Sequence, residues 1–307
     1  MKNFLVKIIK LTLFTIFVLV LSLFFVPDKV SETSILAALK DKNELLGKTP
    51  SPKIILVGGS NVSFGMDSKK LEKRYRMPVV NTGLHGGLGM EFMLNHIKPY
   101  VQKGDVLILM PEYEYFYTDN FYGEMELVSV IFDVEPESKK IISTEQWSHL
   151  LKYLPVYSAK KIKNYASSLF QKSADVIDIY HRNSFNSYGD ACLHWNLPNQ
   201  SYLPAPALKG NEKVNAKSIQ FLKEFKLYVK NKGAGLLIFP PVIDKTSFDN
   251  QKIIIEKIAE ELKNNDLTFF TKPSAYRYED SLFFNSYYHL NKKGVDKRTE
   301  QLIRDLD

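Results

Sequence analysis

The chain has 307 residues, of which 45% are hydrophobic and 13% aromatic, a composition that excludes a disordered protein and fits a packed globular body. The net charge of +7 comes from lysines scattered along the whole sequence, so no clustered footprint for nucleic acid is predicted. A solvated lysine-rich surface explains this charge, and attraction to anionic envelope polymers or lipid headgroups is the alternative. The single cysteine, Cys192, excludes an intrachain disulfide.

The N-terminal residues predict a membrane anchor. Three lysines among the first ten residues precede an uncharged stretch from Leu11 to Pro27. Together with the preceding helical turn, which mixes lysines and apolar residues, this stretch gives about 20 helical residues. That length is enough to cross a bilayer about 30 Å thick. The positive flank predicts a cytoplasmic N-terminus and an extracytoplasmic remainder.

A cleaved signal peptide is the alternative to an anchor. The stretch ends in Phe-Phe-Val-Pro, without the small-residue A-x-A pattern of a cleavage site. We therefore predict an uncleaved, single-pass signal-anchor over residues 1–27, in the cell membrane. Residues 28–51 are predicted to link this anchor to the domain outside.

From Lys53 onward, strand-like and helix-like segments alternate. Apolar runs predict strands, and amphipathic runs with a capping residue such as Asp67 predict helices. In chain order, strands are predicted at 53–57, 78–81 and 105–110, and helices at 67–76 and 86–101.

An aromatic and polar region at about 111–209 interrupts this alternation and is interpreted as an insertion, with helical segments at 144–154 and 159–170. The alternation then resumes. Helices are predicted at 215–233, closed by Gly233, at 249–265 and at 291–306, and strands at 235–241 and 267–271. Alternating β and α segments imply a parallel sheet with helices on both faces. The predicted fold is a three-layer α/β/α domain over residues 52–307.

Polar residues follow the predicted strands, where sites form in sheets of this kind. Ser60 comes directly after the first strand and two glycines, and His289 lies between the last strand and the last helix. A serine hydroxyl becomes a nucleophile when a base accepts its proton, and histidine suits that role near neutral pH. Ser60 is alternatively a helix cap. The surrounding sequence is not G-x-S-x-G, which excludes the nucleophile elbow of α/β-hydrolases.

Three motifs resemble those of the SGNH (GDSL-like) hydrolase superfamily, in particular its membrane-anchored cell-envelope branch. They are "LVGGSNVSFGMDS" (56–68), "NTGLHGGLG" (81–89) and "YYHLNKKG" (287–294). The resemblance covers about residues 53–110 and 233–305. It implies that Ser60 is the nucleophile and that His289 is the general base. It also implies that the backbone N–H groups of Ser60 and Gly83 form the oxyanion hole.

Two positions depart from that pattern. The family's third block usually reads G-x-N-D, whereas this chain has "MPEYEYF" (110–116) and lacks the asparagine that stabilises the oxyanion. The last block usually carries an aspartate before its histidine, and Asn285 stands in that place here. An asparagine orients the imidazole but does not stabilise its cation as a carboxylate does. Glu112 is a second candidate for an orienting group, and a surface carboxylate is the alternative interpretation.

Four further polar residues are predicted to line the substrate cleft: Asn61, His85, Asp190 and His194. The alternative is that they are ordinary loop residues. The histidines show no H-x-x-x-H spacing and there is no C-x-x-C motif, so neither a metal site nor a cofactor is predicted.

The expected function is serine-dependent acyl-ester chemistry, as a hydrolase or an O-acyltransferase, on a cell-envelope or secreted polysaccharide. The expected partners are a glycan or acylated envelope polymer and, for transfer, a membrane-embedded protein that donates the acyl group. The alternative is a non-catalytic SGNH-like scaffold of an envelope or polysaccharide assembly, which the two departures favour.

Overall fold

A parallel sheet of four strands forms the centre of the fold. The structure is a computed structural model that describes residues 2–168 and 178–307. The strands are β1 Ile54–Val57, β2 Val79–Asn81, β3 Val106–Leu109 and β4 Gly235–Ile238. Their order is β2-β1-β3-β4, and every pairing is parallel. The predicted α/β class and parallel sheet are confirmed, while the three-layer arrangement of the SGNH fold stays a prediction.

Twelve α-helices and two small strand pairs complete the described elements. The pairs are β5 Ile243–Asp244 with β6 Arg277–Tyr278, and β7 Phe283–Ser286 with β8 His289–Leu290. The helices are α1 Lys2–Phe25, α2 Lys29–Thr33, α3 Ala38–Lys48, α4 Ser60–Ser63, α5 Ser68–Tyr75, α6 Met90–Ile97, α7 Met125–Ser129, α8 Thr144–Leu150, α9 Leu154–Ser168, α10 Ala216–Asn231, α11 Lys245–Asn264 and α12 Lys292–Leu306.

Both faces of the sheet are covered by apolar side chains. Ile55 and Val57 of β1 pack into a large core that also holds residues of α3, α6, α10 and α11. Ile54 and Leu56 point the other way, into a second core with residues of α5 and α12. Burial on both faces explains why these strands are continuous apolar runs. The C-terminal ends of β1, β2 and β3 therefore meet at one edge of a rigid layer.

The N-terminal helix α1 is the one described helix that is long and apolar enough to cross a membrane, over Asn3–Phe25 (23 residues). This agrees with the predicted anchor in length and composition. Side chains from Phe4 to Val18 are largely exposed, as expected for a helix that lies outside the packed body.

Residues 28–51, which the sequence predicts as a linker between the anchor and the domain, are folded in the structure. They contain α2 and α3, and Leu39 and Leu46 are buried in the main core. The ammonium of Lys42, also buried, donates hydrogen bonds to the carbonyl oxygens of Asn81 (2.9 Å) and Gly189 (2.6 Å). The segment therefore belongs to the packed domain, since it buries apolar side chains against the sheet.

The strand predicted at 267–271 is wrong. This segment is irregular in the structure, and its link to β4 is one backbone hydrogen bond, from Phe270 N–H to the Ile238 carbonyl (2.7 Å). Phe269 is buried by side-chain packing instead. An apolar run buried in this way has the same sequence pattern as a short strand.

The insertion at 111–209 is attached to the sheet through buried polar contacts. Within it, α8 and α9 occupy the predicted helical segments as far as Ser168, and the last two residues of the 159–170 prediction lie outside the described residues. The carboxylate of Asp190 accepts hydrogen bonds from the Asn81 side chain (2.8 Å) and from Ser68 N–H (2.9 Å). The Tyr188 carbonyl accepts from Asn81 N–H (2.8 Å).

Candidate active site

Ser60 begins the short helix α4, two glycines after the end of β1. A Cβ atom on Gly58 would lie 2.7 Å from the Met110 carbonyl oxygen, and one on Gly59 would lie 2.6 Å from Oε1 of Glu112. Only glycine permits so close an approach of the backbone. The glycine pair therefore lets the turn pack against the loop after β3, and it brings Ser60 to Glu112.

Glu112 is the direct hydrogen-bond partner of Ser60. Its Oε1 accepts from the Ser60 hydroxyl (3.3 Å) and from Asn61 N–H (3.2 Å), while Oε2 accepts from the Tyr115 hydroxyl (3.1 Å). The Glu112 side chain is 6% exposed. A Cβ atom on Gly86 would lie 2.3 Å from Oε2, so glycines on two loops make room for this carboxylate. Glu112 thus contacts the serine itself, which is a closer role than the sequence indicates.

Asn61 connects Glu112 to a buried arginine. Its amide Nδ2 lies 3.4 Å from Glu112 Oε1, and its Oδ1 accepts from Nη2 of Arg298 (3.0 Å). Nη1 of Arg298 donates to the Asn61 carbonyl. Burial lowers the pKa of the Arg298 guanidinium to about 10. A buried cation and a buried carboxylate are therefore bridged by one amide, and this bridge fixes the turn that carries Ser60.

The sequence analysis missed Arg298, although a signal for it exists. Arg298 lies on the buried face of α12 together with Val295, Thr299 and Leu302. An arginine on the apolar face of an amphipathic helix is buried only when it is paired or hydrogen-bonded. That position predicts a polar partner in the core behind the helix.

His289 lies on β8 and is held by Asn285. Nδ1 of His289 is 2.9 Å from Asn285 Oδ1, and Nδ2 of Asn285 donates to the Tyr180 hydroxyl (2.9 Å). With its oxygen toward the imidazole, Asn285 accepts a hydrogen bond from Nδ1–H. The lone pair of the neutral ring is then on Nε2. Burial lowers the pKa of His289 to about 3, with smaller contributions from His194 and His85. The imidazole is therefore neutral at physiological pH.

Ser60 and His289 belong to one cluster but are not hydrogen-bonded to each other. Phe64 directly follows α4, one turn after Ser60, and its ring stacks on the His289 imidazole with centroids 4.3 Å apart. Among the described residues, the Ser60 hydroxyl has its hydrogen bond with Glu112, so the predicted Ser60–His289 bond is not formed in this state. The fold brings the two motifs together from opposite ends of the domain.

The structure does not present Gly83 as an oxyanion donor. Its N–H donates to Oδ1 of Asn81 (2.9 Å), two residues earlier. A Cβ atom at this position would lie 2.6 Å from Ser63 N, so the glycine is needed for packing against α4. In this state the Gly83 amide is engaged by a local side chain, and its role in the oxyanion hole stays a prediction.

Three of the four residues predicted to line a cleft are buried. Asn61 and Asp190 are fully buried, and His194 is 1% exposed, with Nε2 2.9 Å from the Leu290 carbonyl oxygen. They hold loops and strands in place behind the site. His85 alone is partly exposed, and its Nδ1 accepts from Gly87 N–H (3.0 Å), which places the proton on Nε2.

Glu114 is a second, half-buried acid beside the site. Burial and the neighbouring Glu112 carboxylate raise its pKa to about 7. The hydroxyls of Tyr288 (2.8 Å) and Tyr287 (3.3 Å) donate to its two oxygens. Because Tyr288 precedes His289, this contact fixes the strand that carries the histidine.

Comparisons with known proteins give no family for this chain. No protein-family model matches the sequence. No curated protein matches it either. Within residues 2–168 and 178–307, no group of three or more His, Cys, Asp or Glu side chains is arranged to hold a metal ion.

The buried histidines make stability depend on pH. Burial lowers the pKa of His194 to about 4, below its value in the unfolded chain, so the unfolded state binds more protons and stability falls as pH falls. Between pH 7.5 and pH 5 this group should remove about 2 kcal/mol of the free energy of unfolding. His194→Gln, which retains a donor for the Leu290 carbonyl, should reduce the pH dependence by that amount in denaturant titrations.

The matched control for this experiment is His181→Gln, at a partly exposed histidine of the same insertion. In this variant the free energy of unfolding should change between pH 7.5 and pH 5 by the same amount as in the unmodified chain, within about 0.5 kcal/mol. An equal pH dependence in the unmodified chain and in His194→Gln would contradict the assignment.

Proposed function

We propose that this chain is a membrane-anchored, serine-dependent acyl-ester hydrolase or O-acyltransferase that acts on an extracytoplasmic envelope polymer or secreted polysaccharide. The observation that carries the proposal is the placement of His289, with Asn285 at Nδ1, in the cluster that contains the Ser60 turn. A neutral imidazole with a lone pair on Nε2 is the form that a general base requires.

The proposed reaction begins when the Ser60 hydroxyl turns from Glu112 to His289. Nε2 accepts the hydroxyl proton, and Oγ attacks the acyl carbonyl carbon to give a tetrahedral oxyanion. The imidazolium then returns the proton to the leaving alcohol as the C–O bond breaks, which leaves an acyl group on Ser60. Water or a sugar hydroxyl attacks this ester in the same way, with His289 again accepting the proton, and releases Ser60.

Glu112 has a defined part in this scheme. In the resting state it holds the serine hydroxyl away from the base, and through Asn61 it fixes the position of the turn. The proposed oxyanion donor is the Ser60 N–H, since the Gly83 N–H is engaged by Asn81. Transfer, as distinct from hydrolysis, would use an acyl group from a membrane-embedded donor protein.

The second candidate function is a non-catalytic scaffold in an envelope assembly. Two observations favour it: the Ser60 hydroxyl is bonded to Glu112 and not to His289, and the Gly83 amide is occupied. A scaffold has no need for an activated serine, so the two functions differ in the reactivity of the Ser60 hydroxyl.

A serine-directed fluorophosphonate probe separates the two functions. The full chain in detergent should be labelled at Ser60, because the probe reacts with serines that a base activates. Ser60→Ala should lose the label, while Ser187→Ala, at an exposed serine of the insertion, should keep it. A chain that takes up no label under conditions that label a known serine hydrolase would support the scaffold instead.

A further inference from the structure

Helix α9 lies beside the outer end of α1. The Ser158 hydroxyl donates to the Leu19 carbonyl (2.9 Å), and the Lys161 ammonium donates to the Leu23 carbonyl (3.0 Å). Leu19 is six residues before the last residue of α1, a rise of about 9 Å. If α1 spans a bilayer, α9 therefore runs at the level of the headgroups and the first part of the acyl chains.

The surface of α9 has two distinct sides. Tyr157, Ser158 and Lys161 are buried against the domain and α1. On another side, four exposed uncharged residues recur at helical spacing, so that they form one stripe: Pro155, Ala159, Ile162 and Ala166. This stripe is next to the face that contacts α1, and it continues the apolar surface of the anchor.

Basic side chains border the stripe. Lys163 is exposed on α9 at the edge of the stripe, and Lys152 is exposed just before the helix. The helix contains no acidic residue, and its buried Lys161 is paired with Asp133 (2.6 Å). A helix with an uncharged face, flanking lysines and no carboxylates matches an anionic lipid surface in both polarity and charge.

We propose that α9 is an interfacial helix that binds the outer leaflet of an anionic lipid membrane beside α1. The proposal rests on the membrane anchoring in the proposed function. It deepens that function, because α7 joins α9 to the site. The Tyr157 hydroxyl contacts Ser129 of α7 (3.3 Å), and a Cβ atom on Gly87 would lie 2.4 Å from Oε2 of Glu126. The His85–Gly87 loop is therefore one short helix away from the membrane, where a membrane-bound acyl donor would lie.

The test measures the depth of a fluorophore in lipid nanodiscs. In a Cys192→Ser background of the full chain, Ile162→Cys is labelled with an environment-sensitive dye, and quenching by lipids with a doxyl group near the headgroup is measured. Leu203→Cys, at a residue that is 87% exposed in the insertion, is the reference outside the membrane. Leu13→Cys, measured with lipids whose doxyl group is deep in the acyl chain, reports on the anchor itself. The dye at position 162 should be quenched at least about twofold more than the dye at position 203.

Each outcome decides the proposal. Quenching at position 13 without quenching at position 162 overturns the interfacial helix and leaves the anchor intact. No quenching at position 13 rejects membrane anchoring, and the interfacial helix with it. Equal quenching at positions 162 and 203 also overturns the proposal, because the contact is then non-specific.

The lysines give a second readout. Quenching at position 162 should rise when phosphatidylglycerol is added to phosphatidylcholine discs, and Lys152→Gln with Lys163→Gln should remove that rise. An increase of the same size in the double variant would reject the electrostatic part of the proposal. Since the discs contain no protein other than the scaffold belt, α9 that stays outside the lipid would overturn the lipid assignment and would instead point to a protein partner.

Discussion

Asn285→Asp is expected to raise the rate of ester hydrolysis by about tenfold or more, because a neutral orienting group is far less effective than a carboxylate at this position of a triad. Asn285 lies 2.9 Å from Nδ1 of His289, whose pKa burial lowers to about 3. A carboxylate at the same distance stabilises the imidazolium, raises this pKa and makes Nε2 a stronger base. The Tyr180 hydroxyl, now a partner of Asn285 Nδ2, can donate to the new carboxylate.

The measurement is the turnover of an activated acetate ester by the full chain in detergent. Ser60→Ala should abolish turnover with either residue at position 285. Asn231→Asp, the same substitution at an exposed residue that ends α10, controls for added charge and should leave the rate unchanged. An unchanged rate in Asn285→Asp would mean that another group orients the histidine, and Glu112 would be the first candidate. Wild-type turnover in Ser60→Ala would remove the nucleophile assignment.

Arg298→Met is expected to lower the free energy of unfolding by about 3 kcal/mol, because charge-assisted hydrogen bonds in the core are lost and their acceptors stay buried. The guanidinium is fully buried and donates to the carbonyl and to the side-chain oxygen of Asn61. Methionine fills part of the volume but leaves both oxygens without a donor. The Glu112 carboxylate also loses the positive charge nearest to it across the Asn61 amide.

Chemical denaturation followed by circular dichroism measures this effect. Arg304→Met removes the same charge from an exposed position of α12 and should change the free energy of unfolding by less than about 0.5 kcal/mol. Arg298→Lys keeps the charge but not the planar fork of donors. Its loss in free energy of unfolding should therefore lie between those of Arg298→Met and Arg304→Met. Equal stability of Arg298→Met and Arg304→Met would show that the Asn61 bridge contributes nothing.

The sheet was predictable because its two central strands, β1 and β3, are buried on both faces. The runs that form β1, β3 and β4 are apolar at consecutive positions, and the helices between them carry local caps, such as Asp67 before α5. Reading an apolar run as a strand was wrong at 267–271. An irregular segment that is buried by side-chain packing has the same apolar sequence as a strand that is buried in a sheet. The predicted linker contains α3, and the helical spacing of Leu39 and Leu46 was the signal for it in the sequence.

The site was predictable in part. Motifs located Ser60 and His289, and the structure places them in one cluster through Phe64. The hydrogen bond from Gly83 N–H to the Asn81 side chain could have been predicted from the sequence. An asparagine side chain commonly accepts from the backbone N–H two residues later. The burial of Asp190 and His194 has no such signal. Their positions depend on how the insertion packs against the edge of the sheet, which no nearby residue specifies.

The contacts at Asn81 also bear on how copies of this chain behave when they are crowded in a membrane plane. The strand β2 is at the edge of the sheet, and an open edge is a template for pairing with another molecule. At Asn81 the outward N–H is bonded to the Tyr188 carbonyl, and the outward carbonyl is bonded to Lys42. The insertion and the segment after α1 thus cap the end of this strand, and strand-to-strand pairing is blocked where β2 leads into the loop that contains Gly83.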